Sequence, residues 1–177
     1  MEMDDPAQAE TVYLKAIAEH PDFIPSYVNL ADVYRTTSRD QEGQDLLVQA
    51  LTIDSLDADV HHALGLVHVR LGQTDSAMIH LKQAVELDPE AVRYAYVYAI
   101  GLNSSGERLQ AIDVLHQALE RHKYDRSLHE ALVTMHLEGG ELDDALKYVL
   151  RLQDLFPDEP DYQTLEAQIR AQGVRSG

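Results

Sequence analysis

Two pairs of histidines are the first residues to weigh for chemistry. His61 and His68 stand seven apart, and so do His129 and His136, in a chain with nine histidines and no cysteine. On a helix that spacing puts each pair on one face, two turns and about 10.5 Å apart. Two such residues cannot both ligate one ion directly, and zinc needs three or four ligands at about 2 Å. The stretch HEALVTMH at 129–136 makes no paired zinc-binding helix either, because that motif needs its second histidine four residues after the first, where Val133 stands. GLNSSG at 101–106 lacks the lysine and the preceding strand of a phosphate loop. No Ser/His/Asp set is suggested by spacing. The missing cysteines remove disulfides, thiolate zinc sites, a cysteine nucleophile and covalent haem attachment. These residues predict packing histidines, with no metal, no cofactor and no catalysis. A metal-dependent hydrolase built on the histidines is the alternative from another class.

The elements that must position these side chains repeat. Pro21, Ser55, Pro89, Lys123 and Pro157 follow one another at intervals of 34 residues, with no insertion or deletion. Five residues before each lies Ala16, Ala50, Ala84, Ala118 or Leu152. Three before those lies Tyr13, Leu47, Leu81, Leu115 or Val149, and four earlier again Ala9, Gly43, Ala77, Ala111 or Ala145. Offsets of three and four mark one face of an α-helix. The other half of each unit behaves alike, with Leu30-Ala31, Leu64-Gly65, Tyr98-Ala99 and Leu132-Val133 at one equivalent place. Gly72, Gly106 and Gly139-Gly140 supply breakers between the two helices, and Thr74 is the expected N-cap of the helix after Gly72.

Bulk charge narrows the partners. The formal net charge of −17 argues against nucleic acid, whose phosphates need a basic surface, and against anionic lipid. A basic partner would be steered toward such a surface. No stretch approaches the roughly 18 apolar residues of a membrane span. The opening MEMDDPAQAE is acidic and polar, unlike a signal peptide. It falls just before the second half of a repeat, so the chain reads as a fragment whose leader could lie upstream.

A 34-residue helix-turn-helix period of this pattern resembles the tetratricopeptide-repeat family. ADVHHALGLVHVRLGQTDSAMIHLKQAVELDP, residues 58–89, is the clearest unit. The departures are the absence of tryptophan at the first large position, Ser55 and Lys123 for the unit-ending proline, and Val133 and Leu152 for small residues. The resemblance implies an all-α, right-handed α–α superhelical solenoid of helix-turn-helix repeats. Small residues let helix backbones approach and large ones of the neighbour fill the space, so that stacked units bury a core none could bury alone. The expected layout is one domain over 1–177. It runs from a half-repeat helix at 5–20, through pairs at 24–54, 58–88, 92–122 and 126–156, to a polar capping helix at 160–172. The tail GVRSG is expected to fray.

The resemblance also implies that the first helix of each pair lines a concave groove. The inward stripes would be Val28, Asp32 and Arg35; His62, Leu66, Val69 and Arg70; Arg93, Tyr96, Ile100 and Asn103; and Glu130, Thr134 and Leu137. Arginine can hold a carboxylate through two parallel hydrogen bonds, and Tyr96 is an aromatic anchor of the hot-spot type. The expected partner is therefore a protein or peptide with acidic and apolar groups, bound without any bond being made or broken. Self-association through the apolar stripes, or a spacer or intramolecular docking role, are the other readings. The carboxylate clamp by which some members of the family hold chaperone tails is missing. Val28, Asp32, Ala63 and Val97 stand in its places and only Arg93 falls at a basic one. His20-Pro21-Asp22 matches the tripeptide of J-domain co-chaperones, but it falls where every unit ends. More narrowly, HHALGLVHVR and RYAYVYAIGLNSSGE are similar to C-terminal repeat arrays of bacterial multihaem cytochrome proteins. That likeness would imply a periplasmic or envelope location for a fragment, against a cytoplasmic one for a complete chain.

Overall fold

A computed structural model describes residues 5–176, and among them every regular element is an α-helix. The helices are α1 (Pro6–Glu19), α2 (Ile24–Thr36), α3 (Asp40–Ile53), α4 (Ala58–Arg70), α5 (Thr74–Leu87), α6 (Val92–Ser104), α7 (Arg108–Arg121), α8 (Arg126–Glu138), α9 (Leu142–Leu155) and α10 (Pro160–Ser176). They gather into two compact units, Met1–Pro89 and Glu90–Gly177. In the first, α1 packs on α2, α2 on α3, α3 on α4 and α4 on α5, and α2 also touches α4. In the second, α6 packs on α7, α7 on α8, α8 on α9 and α9 on α10, and α6 touches α8.

The 3.6-residue periodicity decides which face each helix buries. In the first unit Tyr27, Ala31, Leu47, Ala50, Val60, Leu64 and Val67 form one core cluster. In the second, Val133, Ala145, Val149, Leu152, Tyr162 and Ile169 form another. The small positions work as close-approach points. A Cβ on Gly65 would lie 2.5 and 2.6 Å from Cδ2 and Cγ of Leu81, so the Leu81 side chain of α5 occupies the space that a larger residue on α4 would need. The half-repeat shows the converse. Tyr13 and Ala16 of α1 are only half-buried, whereas their counterparts Leu47, Ala50, Leu81 and Ala84 are buried.

Local signals set the helix ends. Asp5, Asp57 and Asp125 cap α1, α4 and α8 by accepting from the amides of Ala7, Val60 and Leu128. Within the repeats, the first helix of each pair closes with the same bond. Arg39, Gln73, Glu107 and Glu141 donate their N–H groups to the carbonyls of Tyr34, His68, Leu102 and His136 at 2.8–2.9 Å. That closure needs a left-handed residue just before the donor. Gly72, Gly106 and Gly140 take it at φ +71, +85 and +73°, and in the first repeat Ser38 takes it at +61°.

Two expectations are corrected. Thr74 is not a cap but the first residue of α5; Gln73 holds the cap place without a side-chain cap bond, because its side chain is engaged by His68. The last helix does not stop at 172 but continues through Gly173 to Ser176, where Gly173 sits against Leu142 of α9. Gly177 lies outside the described residues.

Candidate functional site

The first helices of the pairs carry the residues expected to bind. In the first unit α2 and α4 lie side by side and present Val28, Asp32, Arg35, Leu66, Val69 and Arg70. His62 departs from the expected stripe: it is only 8% exposed and belongs to the packed side of α4. Val69 is 55% exposed, whereas Leu66 and Val28 are half-buried. The arginines are engaged within the unit. Arg35 donates to Asp32 at 2.6 and 2.9 Å, one turn away. Arg70 donates to both oxygens of Asp40, at 2.6 and 3.1 Å, and that pairing holds the guanidinium proton more tightly than usual. Two of the three arginines expected to await a partner's carboxylates thus already hold one.

In the second unit α6 and α8 are neighbours. Tyr96 and Ile100, one turn apart on α6, are 36% and 40% exposed. Arg93 is exposed, lies 4.8 Å over the Tyr94 ring and donates to its hydroxyl at 2.9 Å. Asn103 donates to Glu138 at 2.7 Å. On α8, Thr134 is exposed, and Leu137 is half-buried against the C-terminal core. Glu130 accepts from Arg126 at 2.9 Å and from the Tyr162 hydroxyl at 2.5 Å. Burial pushes the Glu130 carboxyl up, but the bonds from Tyr162 and Arg126 outweigh it and hold the group below its ordinary range. The same contact works the other way on Tyr162: burial first, then Glu130, push its hydroxyl up to about 12. Glu130 is thus a tie between α8 and α10 rather than a waiting acid.

The histidines pack, and with company the spacing did not show. His80 of α5 stands between His61 and His68 of α4. Its Nδ1 is 2.9 Å from Nδ1 of His61, and its ring stacks on His68 at 5.3 Å between centroids. Burial and then the two neighbouring imidazoles push the His80 pKa down to about 4. Two repeats later Tyr148 takes the same place between His129 and His136. Among the described residues no group of three His, Cys, Asp or Glu side chains could hold a metal ion. No helix is long and apolar enough to cross a membrane, among the residues described. The arrangement is one of packed helices with partly apolar outer faces.

Known proteins share this organisation. Two profiles described as tetratricopeptide repeat match residues 58–91 and 102–169, together more than half of the chain. The chain is 29% identical over 126 residues to TPR repeat-containing protein PA4299 of Pseudomonas aeruginosa, covering 71% of this chain and 50% of that protein. It is 27% identical over 101 residues to human Protein O-mannosyl-transferase TMTC3, covering 56% of this chain and 11% of that one. The chain thus spans half or less of the curated relatives it matches. Among solved structures, MamA superposes with a TM-score of 0.71 at 17% identity, covering 86% of this chain and 84% of the other. YrrB, described as a TPR protein with an unusual peptide-binding site, gives 0.71 at 20% over 92% and 84%. A tetratricopeptide repeat protein from Parabacteroides merdae gives 0.75 at 16% over 93% and 66%. At these identities the structures share the fold. The matches lend no support to the narrower likeness to multihaem cytochrome arrays. With a 34-residue register, paired helices closed by one turn motif, and profile matches over most of its repeats, the chain belongs to the tetratricopeptide-repeat family, an all-α repeat fold that generally mediates protein–protein interaction.

Proposed function

We propose that the chain acts as one tetratricopeptide-repeat domain that binds an extended or helical protein segment along the first helices of its pairs, without catalysis. The observation that carries this reading is the pair Tyr96 and Ile100, left substantially exposed one turn apart on α6. An aromatic and a branched aliphatic side chain in that arrangement form an anchor for i, i+3 or i+4 side chains of a partner helix. In the first unit, taken by itself, Val69 exposes an apolar side chain on α4. The intramolecular pairs of Arg35 and Arg70 shift the weight of the partner's chemistry from acidic groups toward apolar ones, because each arginine would first have to leave its aspartate. The description of YrrB as holding a peptide-binding site supports the general mode but says nothing of the residues used here.

The test is site-specific photo-crosslinking. A crosslinker at residue 96 should trap a discrete partner from lysate of the source organism, and one at Ile79, exposed on α5, should not. Tyr96→Ala/Ile100→Ser should abolish capture while leaving helicity intact. Equal capture from both positions, or from wild type and double variant alike, would remove these residues from the site. No partner at any salt concentration would favour a spacer within a longer protein.

A further inference from the structure

The chain carries two versions of one histidine cage, 68 residues apart. In the first unit the cage is His61, His68 and His80, with Gln73 at the helix turn. In the second unit the corresponding places hold His129, His136, Tyr148 and Glu141. The two are alike in packing. His61 and His68 are buried, as are His129 and His136. His80 stacks on His68 with an interplanar angle of 8°, and Tyr148 stacks on His136 with 9°. They differ in what a proton would meet.

In the first cage the hydrogen bonds fix the tautomers. His61 Nε2–H donates to the Ser55 carbonyl at 3.1 Å, which leaves its Nδ1 as an acceptor. His80 Nδ1–H must be the donor to that atom, since two lone pairs cannot face each other at 2.9 Å. His68 Nδ1–H donates to the Gln73 side-chain oxygen at 2.5 Å. A further proton on His61 would set two N–H groups against each other. A further proton on His80 would place a cation on the stacked His68 ring. Among the described residues, the groups that act on His80 are the His61 and His68 rings rather than a carboxylate. The acids and bases of the surrounding elements are otherwise committed or exposed. Asp57 caps Val60, Asp54 accepts from Leu56, Asp40 holds Arg70, and Lys82 pairs with Glu86. Asp59 on α4 and Asp75 on α5 are exposed, and Tyr27 of α2 donates to Pro21.

In the second cage the amide becomes a carboxylate. His136 Nδ1 lies 2.7 Å from Glu141 Oε2, and Arg108 holds the same carboxylate at 2.8 and 2.9 Å. Bonds from Arg108 and then His136 draw the Glu141 pKa down to about 2. Tyr148, a neutral ring, replaces the third imidazole and shares a 2.8 Å bond with His116. His116 is pushed down by burial and then by His136, while Asp113 and Asp144 pull it up against Lys147. Asp125 caps the helix below, where His129 bonds its carbonyl. A positive charge on the His136 ring would therefore face the Glu141 carboxylate at Nδ1, although its buried Nε2 has no hydrogen-bond partner.

We propose that the His61–His68–His80 cage makes α4 and α5 the acid-sensitive pair of the chain, opening under mild acid while α8 and α9, with a carboxylate and a tyrosine in the matching places, stay closed. A buried histidine whose proton affinity is depressed on folding stabilises the fold above its unfolded value of about 6.5 and loses that contribution as pH falls through the folded value. For His80 that folded value is about 4, so the loss runs between those limits. The Glu141 carboxylate keeps its charge across the whole interval.

Amide hydrogen exchange read by mass spectrometry, corrected for intrinsic rates and run with a chelator, separates the two pairs. Between pH 7 and 4, peptides from 58–87 should lose protection before peptides from 126–155. The double variant Gln73→Glu/His80→Tyr, which installs the second cage in the first unit, should lower the midpoint for 58–87 by about one pH unit or more. The reciprocal change Glu141→Gln should make 126–155 the earlier to open, and it leaves the first unit untouched should the double variant fold poorly. Simultaneous loss of protection in both wild-type segments would overturn the proposal. So would a double variant with an unmoved midpoint, or an acid response that vanishes on chelation and thereby belongs to a bound metal.

Discussion

Gly65 offers the sharpest test of how the helices of a repeat are held. Replacing it by alanine adds one methyl group to α4. That carbon would sit 2.5 Å from Leu81 Cδ2, 2.6 Å from Cγ and 3.3 Å from the Leu81 backbone nitrogen. Leu81 cannot swing away freely, because it is 1% exposed and α5 holds its backbone. Overpacking of this kind costs about 1–3 kcal/mol. Against it stands the helix preference of alanine over glycine, about 1 kcal/mol. The steric term should win, leaving a net loss of up to about 2 kcal/mol once both effects are combined. Urea unfolding at pH 7 followed by far-ultraviolet circular dichroism reads it as a lower midpoint at unchanged slope. Adding Leu81→Ala should recover part of the loss relative to the sum of the single changes, by about 0.5–3 kcal/mol of coupling. If Gly65→Ala instead raised stability by about 1 kcal/mol, the helix preference alone would be acting. The close approach of α4 and α5 would then not be what fixes their register.

Three further outcomes follow from particular residues. Ser38→Gly should stabilise the first unit by about 0.5–1 kcal/mol, because a left-handed serine is replaced by the residue that adopts that conformation without a Cβ penalty; a chemical-denaturation curve checks it. Ala84→Trp should lower the melting temperature sharply, since Ala84 is wholly buried and has no room for a ring; unchanged helicity and melting would show the repeat register to be wrong. Tyr162→Phe should cost about 1 kcal/mol by removing the hydroxyl bond to Glu130, and should raise amide exchange in α10 more than in α6.

Much of the fold was legible because the unit repeats without insertion. Ala50, Ala84 and Leu81 stand out at fixed offsets, and all three are buried. Departures from a consensus were harder to read. Nothing about Ser38 in isolation says that it carries a left-handed turn; only its distance from Gly72, Gly106 and Gly140 does. The candidate site was less legible still, since its charges are settled between repeats. Arg70 reaches Asp40 thirty residues earlier, and Arg108 reaches Glu141 thirty-three later. His80 was overlooked for the same reason: periodicity along one helix ranks His61 with His68, but their true neighbour comes from the facing helix. Burial of His62 likewise depends on where α4 turns within its unit, which spacing alone does not fix.

Helix α10 differs from its predecessors in what it would cost to cover. Where earlier repeats bury His61, Leu64, Gly65 and His68, or His129, Leu132, Val133 and His136, α10 places Gln163, Glu166, Ala167 and Arg170. Arg170 and Gln153 both bond Glu166, so this face is wetted and internally tied. A helix laid on this face would have to strip water from the Arg170–Glu166 ion pair. Covering this face of α10 would therefore cost desolvation that covering the matching faces of α4 and α8 does not.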